Sequence, residues 1–190
     1  MADFITAYNI VKKIEGGYIN DPVDSGGETY KGVARKKHQS WKGWIIIDAE
    51  KKLNDFPKSL ERNLALQQLV KVFFKDFFWD TLSLDKINNQ LIANELFDTG
   101  VNMGVSIAGR FLQRSLNVSN RVGKDYPNLV VDGNVGPKTV ETFNKHKRPD
   151  VIYKIMNCLQ GERYVSICEE KESQERFLFG WMERVFEINF

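Results

Sequence analysis

Ile14-Glu15-Gly16-Gly17-Tyr18-Ile19-Asn20-Asp21-Pro22-Val23-Asp24-Ser25-Gly26-Gly27-Glu28-Thr29-Tyr30-Lys31-Gly32-Val33 joins two unlike pieces of chain. Ahead of it Phe4, Ile5, Tyr8, Val11 and Ile14 recur at three- and four-residue steps, the spacing of an amphipathic helix. Gly16-Gly17 ends that period, because glycine continues a helix poorly and caps its C-terminus well. Short extended runs follow, broken by the turn formers Asn20-Asp21-Pro22 and Ser25-Gly26-Gly27. The pattern predicts a helix and then a small hairpin, with Glu15 on the last helical turn facing it.

A carboxyl group there meets the negative end of the helix dipole, which disfavours its ionised form, and partial burial acts in the same direction. An acid still protonated near neutral pH is what glycosidic cleavage needs to protonate a leaving sugar oxygen. Asp24, nine residues on, lies in a turn where it stays hydrated and ionised; Thr29, five further, offers a hydroxyl that can hold a water. Together they make an acid, an electrostatic partner and a water-positioning group. A plainer account covers the same residues: a Glu ending a helix is commonly a solvated surface group, and Asp, Ser, Gly and Thr are ordinary turn formers. Spacing alone favours the plainer account.

Resemblance reverses that. The run E-G-G-Y-x-N-D-P-x-D-x-G-G-E-T-x-x-G-V resembles the N-terminal signature of the glycoside hydrolase family 108 N-acetylmuramidases, which are phage endolysin and bacterial lysozyme-like proteins, some called secretion activator proteins. In that family the Glu of E-G-G-Y is the catalytic acid, and it falls on Glu15. The order Glu, Asp, Thr is also similar to the catalytic triad of phage-type lysozymes. There the Glu-to-Asp interval is the same as here, but the Thr comes one residue later than Thr29, so Asp24 and Thr29 carry over less directly than Glu15. The resemblance implies a mainly α, lysozyme-like α+β fold with one small β-hairpin near the N-terminus and about seven or eight helices. It implies hydrolysis of the β-1,4 bond between N-acetylmuramic acid and N-acetylglucosamine, with inversion by likeness to phage lysozymes. Tyr18, Asn20 and Tyr30 in the same stretch are candidate substrate contacts.

The totals bound the alternatives. A chain of 190 residues with 42% hydrophobic content can bury a core as one domain or two packed lobes. A net charge of +2 gives no general pull toward nucleic acid. The longest apolar runs, such as Trp44-Ile45-Ile46-Ile47, are far too short to span a bilayer, so stable membrane insertion is not expected. The start Met-Ala-Asp-Phe has neither a basic nor a long apolar signal region. Synthesis in the cytoplasm without a classical signal peptide is therefore expected, with action on the cell wall (periplasm) after release. Family likeness implies a holin-type release partner; a monomer is expected. Cys158 and Cys168 lie ten apart in a helical segment, too far for a bridge along one helix, and read as free thiols. No Cys/His cluster has ligand spacing, so neither a metal nor another cofactor is expected.

From Lys31 to Lys52 seven basic residues interleave with Trp41 and Trp44. A solvated helix face over packed tryptophans explains most of this; a cleft wall, with sugar rings stacked on indole and cations suiting an anionic glycan, is the functional alternative. Ser59 is the expected cap of a long helix reaching about Trp79, whose aromatic load suggests burial on several sides. Thr81 to Asn89 reads as an irregular link and as a lobe boundary. Two helices follow, and on the first Asp98 and Asn102 project on one side, either satisfying buried groups or lining a cleft opposite Glu15. The pattern L-F-D-T-G-V-N-M-G…A-x-x-F-L-Q-R-S-L-N resembles the peptidoglycan-binding-type region of family 108 proteins. D-G-x-x-G-P-x-T at residues 132–139 is similar to a motif of small helical peptidoglycan-binding domains, and a helix-entry turn with Pro137 first explains it equally well. A further helix opens at Pro149 and Gly161 is expected to bend it; Phe177/Leu178, Trp181/Met182 and Val185/Phe186 form a last amphipathic helix. Residues 1–85 are expected to form a lysozyme-like catalytic lobe and 86–190 a helical peptidoglycan-binding-type lobe, packed as one compact unit.

The implied partner is the glycan strand of peptidoglycan. Three rivals stand: a non-catalytic peptidoglycan-binding or secretion/lysis-associated protein, a transglycosylase, and a nucleic-acid binder using residues 31–52.

Overall fold

A computed structural model describes residues 1–12, 16–20 and 27–187, without the side chains of 186 and 187. It is mainly α. Among the described residues there are eight α-helices and one three-stranded antiparallel sheet near the N-terminus. The chain divides into two compact units, one Tyr8–Phe77 and the other Met1–Ala7 with the chain from Phe78 onward.

In the first unit the sheet is built from β1 (Tyr18–Asn20), β2 (Glu28–Tyr30) and β3 (Val33–Ala34). A hairpin was expected; the third strand forms because Lys31 and Gly32 both take positive φ, 43° and 76°, the geometry of a two-residue type I′ turn. Lys31 is held in that uncommon conformation for a side chain by Glu61 at 2.6 Å and Gln67 at 2.8 Å. Strands pair Tyr18 with Tyr30, Asn20 with Glu28, and Tyr30 with Val33. Side chains alternate across a strand, so these residues share one face, and Tyr30 and Val33 are wholly buried on it.

The sheet is followed by α2 (Gly43–Glu50), a 3₁₀ turn (Lys58–Arg62) and α3 (Leu64–Phe74). Asn63 starts α3, not Ser59: its side-chain oxygen accepts from the Leu66 amide at 3.0 Å, and its amide nitrogen reaches Glu50 at 2.5 Å. Ser59 is instead buried in the 3₁₀ turn. Helix α3 buries a single stripe, Leu66, Val70 and Phe74, while Leu64 and Val72 face outward. The extra aromatics do not widen its face. A π-helical turn, Lys75–Asp80, takes over and buries Phe78 and Trp79 while Phe77 remains exposed.

The second unit is organised on α4 (Gln90–Met103), whose residues 92, 93 and 95–100 are all buried. Around it pack α5 (Val105–Ser119) and α7 (Pro149–Glu170), joined by α6 (Pro137–Lys145) and closed by α8 (Leu178–Glu187). Phe4 of α1 (Phe4–Val11) meets Trp79 and Phe97 edge-to-face at 5.6 and 5.9 Å. The 81–89 link contains a 3₁₀ turn, Leu84–Lys86, with Leu82, Leu84 and Ile87 buried. Gly161 lies inside α7, which runs for 22 residues, and its bare face lies under Met182 and Val185. Cys158 is exposed and Cys168 buried on that helix, both free.

The 132–139 motif is a structural clamp. Gln113 of α5 donates to Asp132 at 2.8 Å and to the Asn134 carbonyl at 3.0 Å, and accepts from the Gly133 amide at 2.8 Å. Asn117 pairs with both backbone groups of Leu129. The loop lies so close to α5 that a Cβ at Gly109 would stand 2.1 Å from the Gly133 carbonyl oxygen.

Candidate functional site

Glu15 and Asp24, the expected acid and its partner, lie outside the described residues. β1 and β2, which flank residues 21–26 in sequence, are described. Thr29 sits in the middle strand opposite Ile19, half-buried, on the face away from Tyr30. Its hydroxyl donates to the Gly27 carbonyl at 3.4 Å, which leaves both oxygen lone pairs able to accept from a water.

The other face carries a charged network that sequence reading missed. Glu28 accepts from the Tyr18 hydroxyl at 3.0 Å, from Lys51 at 2.7 Å and from Arg35 at 2.8 Å. Arg35 in turn forks onto both Asp48 oxygens at 2.7 and 2.5 Å and lies over the Trp44 ring. Lys51 also reaches Asp48, at 2.9 Å. Burial opposes ionisation of Glu28, but the hydrogen bonds from Lys51, Arg35 and Tyr18 outweigh it and hold the carboxyl below its usual range. Hydrogen bonds from Arg35 and Lys51 hold Asp48 lower still. Glu28 is therefore a fixed anion, which suits it to anchoring β2 on α2 and not to giving up a proton. Its position beside Thr29 in the G-G-E-T run was the available signal, but its partners Arg35, Asp48 and Lys51 follow no local spacing.

The candidate substrate contacts separate by burial. Tyr30 and Trp44 belong to the core, 0% and 2% exposed, with no ring face open to a sugar. The Tyr30 hydroxyl accepts from Gln67 at 2.8 Å and lies 3.3 Å from the Leu60 carbonyl and from Glu61, and the Trp44 indole donates to the His38 carbonyl at 2.8 Å. Tyr30 was a candidate contact from its place in the motif; for Trp44, of the packed-tryptophan and cleft-wall readings, the packed one is observed. Trp41 keeps a partly open ring. It packs edge-to-face on Trp44 at 5.2 Å and covers Gly43 so closely that a Cβ there would meet the indole at 2.2 Å. Tyr18 is half-buried, edge-to-face with Phe56 at 4.7 Å, and Asn20 is exposed.

Asp98 and Asn102 belong to the second unit. Asp98 is 1% exposed and bound by Arg184 of α8 at 3.0 Å and by the Asn102 amide at 3.2 Å, so of the two readings the buried partner is the one observed. Arg184 also donates to the side-chain Oδ1 of Asn102. One turn back, fully buried Glu95 accepts from Thr99 at 3.2 Å. Burial and the neighbouring Asp98 push its carboxyl up to about 8. Glu95 and Asp98 are three apart on one helix, a spacing that could have shown them as neighbours; Arg184, 86 residues away, could not be found that way.

No group of three or more His, Cys, Asp or Glu among the described residues is placed to hold a metal ion, and no described helix is long and apolar enough to cross a membrane.

Eight α-helices among the described residues with one small antiparallel sheet near the N-terminus make a mainly α, lysozyme-like arrangement. The chain belongs to the glycosyl hydrolase 108 family, whose model matches residues 8–104, and a second model described as "Predicted Peptidoglycan domain" matches 107–186. The matches meet at Gly104, between α4 and α5, so the family segment includes a helix that packs inside the second unit. A solved structure, that of Brucella abortus SagA, is 22% identical, with a TM-score of 0.66 over 97% of this chain and 90% of that one, a likeness of fold. No curated protein matches.

Proposed function

We propose that this glycoside hydrolase is an N-acetylmuramidase, cleaving the β-1,4 bond between N-acetylmuramic acid and N-acetylglucosamine in peptidoglycan. The observation that carries the reading is the family match over 8–104, which contains the whole Glu15 to Val33 motif. The second matched segment supports peptidoglycan as the polymer engaged.

Glu15 protonates the leaving glycosidic oxygen. Asp24 stabilises positive charge on the sugar or places a water, and Thr29, with its free lone pairs, orients that water. Glu28, locked by Arg35 and Lys51, holds the strand that carries Thr29. Tyr18, Asn20 and Trp41 contact the glycan. Residues 1–85 supply the chemistry and 86–190 the hold on the wall. The protein acts as a monomer on the wall after holin-type release.

The test is product analysis of digested cell wall. Wild type releases muropeptides with reducing N-acetylmuramic acid ends, which separates a hydrolase from a transglycosylase leaving anhydro ends. Glu15→Gln keeps the circular dichroism spectrum of the wild type and lowers turnover by about two to four orders of magnitude, the usual contribution of a general acid. Full activity of that variant overturns the assignment.

A further inference from the structure

Gly43 opens α2, yet its backbone does not call for glycine: its φ is not left-handed, and alanine is the better helix residue. What calls for glycine is the room beside it. A Cβ there would stand 2.2 Å from Cη2 of the Trp41 indole and 2.4 Å from Cζ2 and Cζ3. A point so nearly equidistant from three consecutive ring atoms lies over the face of the ring and not beyond its rim. We propose that Gly43 is a positioning residue: it seats the Trp41 indole flat against α2 and so makes the ring a fixed stacking surface for one sugar of the wall glycan. The inference rests on the reading of peptidoglycan glycan as substrate.

The seat is rigid. The His38 carbonyl accepts from the Trp41 amide at 3.1 Å and from the Trp44 indole at 2.8 Å, which fixes the turn leading into α2. Trp44, itself in the core, meets Trp41 at 5.2 Å and 83°, and Phe73 of α3 meets it at 6.3 Å and 66°. Gly43 covers one face of the indole and two rings stand at steep angles to it, while its half-buried surface still reaches solvent. A ring ordered before its ligand arrives loses little conformational freedom on binding.

The surroundings select a sugar. Gln39, Ser40 and Lys42, all exposed, flank the indole in the chain and offer an amide, a hydroxyl and an ammonium. A pyranose carries C–H groups on its faces and hydroxyls around its edge, so it matches an aromatic face with polar neighbours. No acid occurs between Glu28 and Asp48, whereas Lys36, Lys37 and Lys42 do, which suits an anionic wall polymer. Single-stranded nucleic acid stacks successive bases on several open rings, and here the neighbouring Trp44 is only 2% exposed. One open ring serves one sugar.

The experiment titrates the full chain with N-acetyl-chitotetraose, which offers pyranose faces but no muramyl bond to cut, and follows tryptophan emission. Wild type should show a saturable change. Trp41→Leu should abolish it, and Gly43→Ala should raise the Kd by about tenfold or more while keeping the native circular dichroism spectrum. On sacculi both variants should raise KM far more than they lower kcat. Adding Gly43→Ala to Trp41→Leu should raise KM no further, the mark of a residue that acts only through the ring. If Gly43→Ala unfolds, the double variant, whose clash is gone, should fold; its failure to do so overturns the proposal. So does no saturable change in wild type, wild-type affinity in Gly43→Ala, an added loss in the double variant, or tighter binding of an oligothymidylate than of the sugar. Sacculus digestion separates the two readings: a chain that cuts sacculi but ignores the oligosaccharide loses only this seat, and one that binds the oligosaccharide but leaves sacculi uncut loses only the muramidase assignment.

Discussion

Replacing Glu95 by Gln should flatten the pH dependence of stability. Glu95 is fully buried at the centre of α4 beside Asp98, and burial followed by that neighbour raises its carboxyl from an ordinary 4.5 to about 8. A group whose folded pKa lies above its unfolded one binds more protons in the native state between the two values. Stability from Glu95 is therefore complete below pH 4.5 and lost as pH rises through about 8. At about 1.36 kcal/mol per pH unit, the whole interval is worth about 5 kcal/mol, of which roughly 3 to 4 falls between pH 5 and pH 8. Asp98 is also raised, by burial against the opposing pull of Arg184, and stays in the variant, so the difference between the two profiles isolates Glu95. Gln keeps the acceptor for Thr99 but buries an amide nitrogen where Glu95 Oε2 has no partner, a pH-independent cost of about 1–3 kcal/mol. Urea unfolding followed by far-ultraviolet circular dichroism from pH 5 to 8.5 at constant ionic strength measures this. The variant should be the less stable protein at pH 5 and the more stable at pH 8. Parallel profiles would refute the reasoning and mean that Glu95 is ionised throughout.

Asn63→Ala should lower stability by about 1–2 kcal/mol, since it removes the cap bond to Leu66 and the bond to Glu50; a urea melt reads it, and an unchanged midpoint would mean that the 3₁₀ turn before α3 caps the helix by itself. Gly109→Ala should cost about 1–3 kcal/mol or more, because its methyl meets the Gly133 backbone and forces the 129–136 loop off Gln113. Gly136→Ala, where a Cβ meets nothing within 4 Å, should change stability by under about 0.5 kcal/mol, and hydrogen exchange of residues 129–136 should rise only in the Gly109 variant.

What the sequence determined by itself is local. Hydrophobic periodicity marked the helices of the second half, because burial of one face repeats every three or four residues whatever lies opposite. Gly, Pro and Asn signals marked the sheet and the Pro137 helix start, and the long E-G-G-Y motif carried the family and the candidate acid. The three-stranded sheet, the π turn after α3 and the Asn63 cap depended on which side chains found partners elsewhere. Tyr30, a candidate contact from the motif, and Trp44, open to either packing or sugar stacking, are both core, since an aromatic ring serves either purpose and only its neighbours choose. The Glu28–Arg35–Asp48–Lys51 network and the Glu95–Asp98–Arg184 cluster were decided by tertiary structure alone. Charge pairing over tens of residues has no period in sequence, and how far a carboxyl departs from its ordinary proton affinity is set by the water that folding removes around it.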